Sequence, residues 1–312
     1  MTEENIKFSY KSSLKSLDTE ETIDLMFYRP IGYFWSVVAY KLGVTPNAIT
    51  IASIFIGLGA GFFFYFNNFW WNVLGAFLLI LANSFDSADG QLARMTHQYS
   101  RIGRILDGLS GDIWFAAIYT AICLRENVTS EFFSAHHWVI WIVALVTAVC
   151  HATQAAMADY YRQFHLYFVK GKEGSELDTA SDLWDKFHSL SWRKNFWRKL
   201  VLMFYTNYTT GQEKRTHWMQ RFRRALKQKF GDDVPVALKE KFRAQSKPLM
   251  KYTNMLSFNT RTIALLVAIL VFRMPWLYFA FELTVLNLML VYMMWRHERI
   301  CKIFIKEVED YE

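Results

Sequence analysis

Cysteine is scarce in this sequence, and so are the patterns that cysteine usually forms. The three cysteines, Cys123, Cys150 and Cys301, lie far apart, and two of them fall in apolar runs. This spacing excludes a disulfide framework and a cysteine-based zinc site. A cleavable signal peptide is not expected either, because the first 20 residues are polar and charged.

Apolar residues, in contrast, are abundant. Hydrophobic residues make up 53% of the 312 residues and aromatic residues 18%, and the mean hydropathy is +0.08. This composition is rich for a soluble protein but too polar for a chain buried wholly in a membrane. Reading for the ~20 apolar residues that a span needs gives six candidates: 48–66, 70–85, 105–124, 138–157, 262–272 and 276–295. A soluble all-α protein is disfavoured because these runs show no polar face.

Lysine and arginine are unevenly distributed along the chain, and this predicts an orientation. Residues 162–251 hold 20 lysines and arginines against nine acidic residues, and the N-terminal segment adds Lys7, Lys11, Lys15 and Arg29. The loops between spans on the opposite side carry only Arg125 and Arg273. The positive-inside rule therefore predicts that both termini, the basic segment and the loop 94–104 lie in the cytoplasm.

These patterns predict an all-α integral membrane protein with six transmembrane helices, an N-terminal interfacial amphipathic helix over 22–42 and a helical cytoplasmic insert. The expected segments are 1–45 (cytoplasmic and interfacial), 46–165 (transmembrane helices 1–4), 166–256 (the basic amphipathic insert) and 257–312 (transmembrane helices 5–6 and a cytoplasmic tail). The insert combines tryptophan and phenylalanine with lysine and arginine at helical spacing. This indicates contact with anionic lipid rather than with nucleic acid.

The stretch "DSADGQLARMTHQYSRIG", residues 86–103, concentrates charge between two apolar runs. Asp86 and Asp89 are three residues apart and share a helix face, and Asp107 follows on the next helix. Three carboxylates can therefore converge, and their oxygens suit Mg²⁺ or Mn²⁺. Two such ions can promote a displacement at phosphorus, and Arg94 suits a phosphate partner. The alternative is a set of helix-end charges in a solvated loop.

This arrangement resembles the CDP-alcohol phosphotransferase family, whose pattern is D-x2-D-G-x2-A-R-x8-G-x3-D-x3-D. Seven of its eight positions match here with the right spacing: Asp86, Asp89, Gly90, Ala93, Arg94, Gly103 and Asp107. The sequence Pro46-Asn47-Ala48-Ile49-Thr50 also matches the family's Pro-Asn-x-x-Thr, and Arg29-Pro30-Ile31 is similar to the preceding surface helix. The resemblance covers residues 1–165 and the last two spans, whereas the insert at about 170–255 is larger than the family suggests.

The resemblance implies a membrane transferase that moves a substituted phosphate from a CDP-linked donor to an alcohol and releases CMP, in phospholipid or sphingolipid head-group synthesis. CDP-diacylglycerol and an inositol or inositol phosphate acceptor are the expected substrates, membrane lipids are partners, and nucleic acid is not. A homodimer paired through the spans is also implied. The implied metal ligands for Mg²⁺ or Mn²⁺, expected as two ions, are Asp86, Asp89 and Asp107; the implied nucleotide and phosphate contacts are Asn47, Thr50, Gly90, Ala93, Arg94 and Gly103.

One position departs from the family pattern. In the family, the eighth position is an aspartate that supplies the general base and a further group at the metal site. Here that position is Gly111, and Asp112 follows it. In an ideal helix Asp112 points about 140° away from Asp107. Three alternatives stay open. Asp112 acts as the base through a one-residue π-bulge, another group such as His97 or Asp159 acts instead, or the chain is an impaired or non-catalytic homologue.

Basic residues just past the fourth span are weaker candidates. Arg162 and Lys170, with Lys172, are expected to bind a phosphate- or inositol-bearing acceptor, because family members with phosphorylated acceptors keep basic residues there. Ordinary positive-inside anchoring explains them equally well. A transporter or lipid scaffold is the remaining functional class, but it would place polar residues at mid-span. Here only Asp112 and Glu282 come near to that.

Overall fold

A computed structural model describes residues 10, 18–99, 101–171, 175 and 177–311, with the backbone alone at 101, 102, 104 and 105. Helix accounts for 87% of the structure, and the described residues form no strand, so the predicted all-α class is confirmed. Lys7, Lys11, Lys15 and Lys172 lie outside the described residues.

The helices follow one another with short connections. They are α1 (Arg29–Lys41), α2 (Pro46–Tyr65), α3 (Phe69–Thr96), α4 (Arg101–Thr129), α5 (Glu131–Ala135), α6 (His137–Lys170), α7 (Ala180–Ser189), α8 (Trp192–Lys214), α9 (His217–Phe230), α10 (Val236–Ser246), α11 (Met250–Met255), α12 (Phe258–Leu266), α13 (Trp276–Phe281) and α14 (Asn287–Glu309). Turns of π-helix occupy Asp24–Tyr28, Val267–Val271 and Glu282–Leu286, and Lys247–Leu249 is a 3₁₀ turn.

Five helical stretches of the described chain are long and apolar enough to cross a membrane. They are Pro46–Tyr65, Phe69–Thr96, His137–Lys170, Val236–Val271 and Trp276–Glu309. The other predicted span, 105–124, lies within α4, of which residues 101, 102, 104 and 105 are described by their backbone alone. The total of six spans therefore stays a prediction, as does the interfacial position of the helical segment over 22–42.

Two helices extend well past the ends predicted for their spans. Helix α3 continues from the apolar run to Thr96, so the expected loop 94–104 shrinks to four residues, 97–100. The helix ends at His97, which adopts a left-handed conformation (φ 54°) while its N–H bonds the Ala93 carbonyl. Helix α6 runs for 34 residues, about 51 Å at 1.5 Å per residue, which exceeds the ~30 Å bilayer core.

The chain divides into two compact units, each described here by itself: residues 1–150 with 258–283, and residues 151–257 with 284–312. In the first unit, α2, α3, α4, α12 and α13 enclose one apolar core; its fully buried members include Phe64, Leu79, Trp114, Ile118, Leu265 and Phe279. Helix α1 packs on α3, where a Cβ on Gly32 would lie 2.8 Å from Ser87 Oγ. Only glycine permits this close approach beside the aspartates of α3.

In the second unit the predicted insert is helical, as expected from residues 180–250. Its core is a cluster of stacked and edge-on rings from α6, α9, α10 and α14: Phe164, Phe168, Phe222, Phe242 and Phe304. Glu298 of α14 accepts hydrogen bonds from the backbone N–H groups of Trp218 and Met219, at 2.6 and 3.2 Å. These bonds satisfy free donors at the start of α9.

Glu282 is fully buried and has polar neighbours. Its carboxylate pairs with Arg261 at 3.3 Å and accepts a hydrogen bond from the Tyr278 hydroxyl at 3.0 Å. Tyr119 and Tyr278 extend this network, with their hydroxyls 3.4 Å apart. A buried charge with these partners is satisfied structurally.

Arg125, one of two basic residues expected in the loops opposite the insert, is buried rather than solvated. Its guanidinium donates to the Phe64 carbonyl at 3.3 Å and to Asn72 at 3.2 Å. It also donates to Asn67 at 2.8 Å. The side chain therefore holds the turn between α2 and α3 in place. Its charge stabilises the fold more than it determines the orientation in the membrane.

We expect Arg125→Met to destabilise the protein by about 3 kcal/mol, because several buried acceptors lose their donor at once. The matched control is Arg273→Gln, since Arg273 is exposed and contacts only the Phe69 ring among the interactions described, at 5.7 Å. Thermal unfolding in detergent should show a clear drop in Tm for the first variant and almost none for the second. Equal losses would mean that the Arg125 bonds do not stabilise the turn.

Candidate metal centre

Three carboxylates meet in the first unit. Asp86, Asp89 and Asp107 each offer an oxygen, and these oxygens lie within 4.8 Å of one another. Asp89 is almost fully buried, Asp86 is partly buried and Asp107 is exposed. The convergence predicted from the sequence is therefore present in the fold.

Helix geometry and a short connection produce this convergence. Asp86 and Asp89 are one turn apart on α3, so their side chains share a face. The connection 97–100 is too short to separate the helices, and it returns α4 to α3 so that Asp107 faces the same place. Gly103 lies one turn before Asp107 on α4 and is partly buried.

Two hydroxyls support the carboxylates. The Thr50 hydroxyl of α2 contacts Asp89 Oδ2 in a short hydrogen bond, and it also lies 3.1 Å from the Pro46 carbonyl. The Ser110 hydroxyl of α4 donates to Asp86 Oδ1 at 2.6 Å and lies 2.8 Å from the Asp107 carbonyl. Thr50 was expected here from the sequence. Ser110 was not, although its spacing of three residues after Asp107 is the signal that could have revealed it.

The segment before α1 is fastened to α3 beside the carboxylates. Arg29 pairs with Glu20 at 2.9 Å and donates to Ser87 Oγ at 3.3 Å. The buried Gln91 amide donates to the Arg29 carbonyl at 3.0 Å. Burial raises the pKa of the Tyr28 hydroxyl, which bonds Asn83 one turn before Asp86. These contacts fix Arg29 close to the aspartates, a position that the Arg-Pro-Ile similarity alone did not reveal.

The remaining family positions lie on the same elements. A Cβ on Gly90 would come 3.4 Å from Arg94 Nη1, so glycine leaves room around that guanidinium. Ala93 precedes Arg94 on α3, and both are partly buried. Asn47 lies in the first turn of α2, where the Thr45 hydroxyl accepts a hydrogen bond from Ala48 N. The described unit thus brings the motif's two helices and the start of α2 together.

The π-bulge in α4, one of the three alternatives that the sequence left open, is not present in the structure. The helix is regular from Arg101 to Thr129, with no π turn assigned. Outside the helix's own backbone, no described heavy atom lies within 4 Å of a Cβ built on Gly108 or on Gly111. Asp112 is consequently exposed and outside the group of three carboxylates. It lies within electrostatic reach of Arg261.

Two weaker site candidates belong to the second unit. Arg162 of α6 is partly buried and donates to Asn254 at 3.3 Å. Lys170 is exposed at the end of the same helix. Their role in acceptor binding stays a prediction, as does that of the alternative base Asp159.

The donor set fits a hard divalent cation. Three carboxylate oxygens in close proximity repel one another, and a cation among them relieves that repulsion. Oxygen ligands without nitrogen or sulfur are those that Mg²⁺ and Mn²⁺ prefer. Hydroxyls that orient the carboxylates are typical outer partners of a metal site.

Comparison with known proteins agrees with this geometry. The family model for CDP-alcohol phosphatidyltransferase matches residues 43–170, which contain α2, α3, α4 and α6. Over these residues the chain is similar to a CDP-alcohol phosphatidyltransferase domain. CDP-alcohol phosphatidyltransferases are membrane enzymes of phospholipid biosynthesis, use a CDP-linked donor and an alcohol acceptor, and typically depend on a divalent metal.

One protein of named activity is similar to part of this chain. An archaetidylinositol phosphate synthase of Pyrococcus horikoshii is 36% identical over 84 residues. The match covers 27% of this chain and 43% of the relative, so the chain spans less than half the length of the relative it matches.

Proposed function

We propose that this chain is a metal-dependent CDP-alcohol phosphotransferase of the cytoplasmic membrane. It transfers a substituted phosphate from a CDP-linked lipid, CDP-diacylglycerol, to an acceptor hydroxyl of the inositol class and releases CMP. The observation that carries the proposal is the meeting of Asp86, Asp89 and Asp107 within the matched domain. The name of the relative supports an inositol-type acceptor.

In the proposed reaction the acceptor oxygen attacks the phosphorus that bears the lipid substituent. A new phosphorus–oxygen bond forms, the bond to the CMP oxygen breaks, and the hydroxyl proton passes to a carboxylate. Asp112 is the proposed proton acceptor because it is an exposed carboxylate on the helix that carries Asp107, one residue after the family's eighth position. Arg94 would neutralise a phosphate, while Asn47, Thr50, Gly90, Ala93 and Gly103 would shape the nucleotide side.

Asp86, Asp89 and Asp107 would hold one or two Mg²⁺ or Mn²⁺ ions. Bound there, the metal would neutralise diphosphate charge and make the phosphorus more electrophilic. Thr50 and Ser110 orient the ligand oxygens. The bond between Gln91 and the Arg29 carbonyl holds α1 against α3, which carries Asp86 and Asp89. Most of the rate enhancement would come from positioning and charge neutralisation.

The activity is tested by CMP release from the full chain in liposomes. CDP-diacylglycerol and other CDP-alcohols serve as donors, and inositol, inositol phosphate and other alcohols as acceptors, with Mn²⁺ or with a chelator. Mass spectrometry of the lipid product identifies both substrates. We expect metal-dependent CMP release with an inositol-type acceptor. Metal-dependent turnover with another acceptor would reject the inositol-type acceptor but leave the transferase activity standing.

A second candidate is a homologue that binds a CDP-lipid without turnover. The observation that favours it is Gly111, which stands at the eighth position of the family pattern, where the family has an aspartate. Under this alternative the protein would bind CDP-diacylglycerol in the presence of Mn²⁺ but release no CMP with any acceptor.

Replacing Thr50 with valine should weaken Mn²⁺ binding about 10- to 100-fold, because an outer hydrogen bond to a metal ligand is lost. Valine keeps the shape of threonine, so the effect reports on the hydroxyl. The matched control is Ser53→Ala, which removes a buried hydroxyl on the same helix that bonds only the Thr50 carbonyl among the bonds described, at 2.7 Å. Titration calorimetry should separate the two variants; equal affinities would mean that Thr50 does not support a metal ligand.

A further inference from the structure

Helix α8 of the insert is amphipathic, but its polar face is buried and its apolar face is exposed. Its buried face is polar and consists of Lys199, Thr206, Thr209 and Gln212. Its outward face carries large apolar side chains: Trp197 is 76% exposed, Val201 42%, Phe204 65% and Tyr208 40%. The spacing 197, 201, 204 and 208 follows i, i+4, i+7, i+11, which is one continuous stripe on a helix. We call these four residues the α8 stripe.

The polar face is turned inward because the protein satisfies its hydrogen bonds. Gln212 donates to the Ala156 carbonyl at 2.8 Å, and Lys199 donates to the Leu190 carbonyl at 2.6 Å. The Trp184 indole of α7 donates to Thr210 at 3.2 Å. These bonds fix the rotation of α8 about its axis, so the exposure of the α8 stripe is built into the fold.

The neighbouring helix shows that this orientation is specific to α8. Helix α9 buries Met219, Phe222 and Leu226 and presents polar and basic residues outward, as a surface helix of a soluble unit does. None of its large hydrophobic side chains is exposed in the described structure. An outward apolar stripe on α8 therefore calls for an apolar environment outside the protein.

Charge at both ends of the α8 stripe identifies that environment. Arg193, Lys194 and Arg198 are exposed around its first turn, where the backbone kinks at Asn195. Lys214 and Arg215 are exposed at the other end. The one acidic residue of α8, Glu213, turns to the protein side and accepts a hydrogen bond from Ala180 N at 3.1 Å. Cations flanking aromatic residues match anionic head groups above acyl chains.

We propose that the α8 stripe docks the insert into the surface of an anionic phospholipid leaflet, with Phe204 and Trp197 reaching the acyl chains. Arg193, Lys194 and Arg198 contact lipid phosphates. The occupant is a lipid surface, since the tryptophan and tyrosine of the stripe are the residues that favour the interface between water and hydrocarbon. The insert is thereby a second membrane contact in addition to the spanning helices, and this holds whichever substrates the enzyme uses.

The test places an environment-sensitive fluorophore on the full chain in vesicles of phosphatidylcholine with or without phosphatidylglycerol. The label is attached to Phe204→Cys in a Cys150→Ser background, because Cys123 and Cys301 are buried. Gln228→Cys, on the exposed polar face of α9, is the matched control. Quenching is measured with iodide in the water and with spin labels on the acyl chains.

We expect acyl-chain spin labels to quench the probe at position 204 and iodide to spare it, with the opposite result at position 228. Replacing Arg193, Lys194 and Arg198 with glutamine should weaken docking to anionic vesicles by about fivefold for each cation removed. Equal iodide quenching at both positions in anionic vesicles would overturn the proposal. Protection from both quenchers, together with disulfide-linked dimers of Phe204→Cys, would also overturn it, because a second chain would then cover the stripe.

Discussion

Replacing Asp86 with asparagine should lower the rate of CMP release by at least about 10³-fold, because the site loses a metal ligand and the charge that opposes the metal. Asparagine keeps the shape of aspartate, and its Oδ1 can still accept the hydrogen bond that Ser110 donates at 2.6 Å. The loss should therefore come from chemistry rather than from misfolding. Initial rates with Mn²⁺ and the best donor and acceptor measure it.

Stability measurements separate this effect from a structural one. Without metal, Asp86→Asn should melt no lower than the wild type, because one of three mutually repelling carboxylates becomes neutral. Mn²⁺ at 100 times its Kd should stabilise the wild type by about 2.7 kcal/mol, and the variant far less. Asp185→Asn, the same change at an exposed carboxylate of α7, is the control and should leave both quantities unchanged. Full activity of Asp86→Asn would mean that Asp86 is not a metal ligand.

Asp112→Asn should lower kcat by about 10²- to 10⁴-fold, which is the usual contribution of a general base. Mn²⁺ affinity should stay at the wild-type level, because Asp112 lies outside the three converging carboxylates. The acidic limb of the kcat–pH profile should disappear together with the group that must be deprotonated. Asp112→Glu keeps a carboxylate and should retain part of the rate.

A second substitution tests whether the position of this carboxylate can be restored. In the Asp112→Asn background, Gly111→Asp places a carboxylate one turn after Asp107 on the same helix face. Outside the helix's own backbone, a Cβ at Gly111 meets no described heavy atom within 4 Å, so the change is sterically allowed. We expect partial recovery of the rate, whereas Gly111→Ala should give none. Wild-type turnover in Asp112→Asn would assign the proton to another group, such as His97.

Much of the candidate site could be predicted from local sequence because it depends on helical spacing. Asp86, Asp89 and Arg94 lie on one helix, so their relative directions follow from the helical period. The convergence of Asp107 was predicted from its place on the next helix, and the structure adds the four-residue connection that produces it. The regularity of α4 could not be predicted, since the glycines at 108 and 111 allow a bulge without requiring one. Without a bulge, Asp112 lies outside the group of three carboxylates.

Contacts between distant parts of the chain could not be predicted in the same way. Gln91 and Arg125 carry no signal in composition or periodicity that gives their partners. Their roles depend on which helices pack together and at what rotation, and packing decides both. Arg125 illustrates this, because a positive-inside argument counts it as a loop charge, whereas the fold buries it against Asn67 and Asn72.

The sequence by itself determined that this protein is helical, rich in apolar spans and equipped with an acidic motif suited to a divalent metal. These properties depend on residue type and on spacing within one helix, and both can be read from the sequence. Only the tertiary structure decided that Thr50 and Ser110 support the acids, that Asp112 lies outside them and that α8 turns its aromatic stripe outward. A helix can rotate about its axis, and its final orientation depends on hydrogen bonds and packing with residues far along the chain.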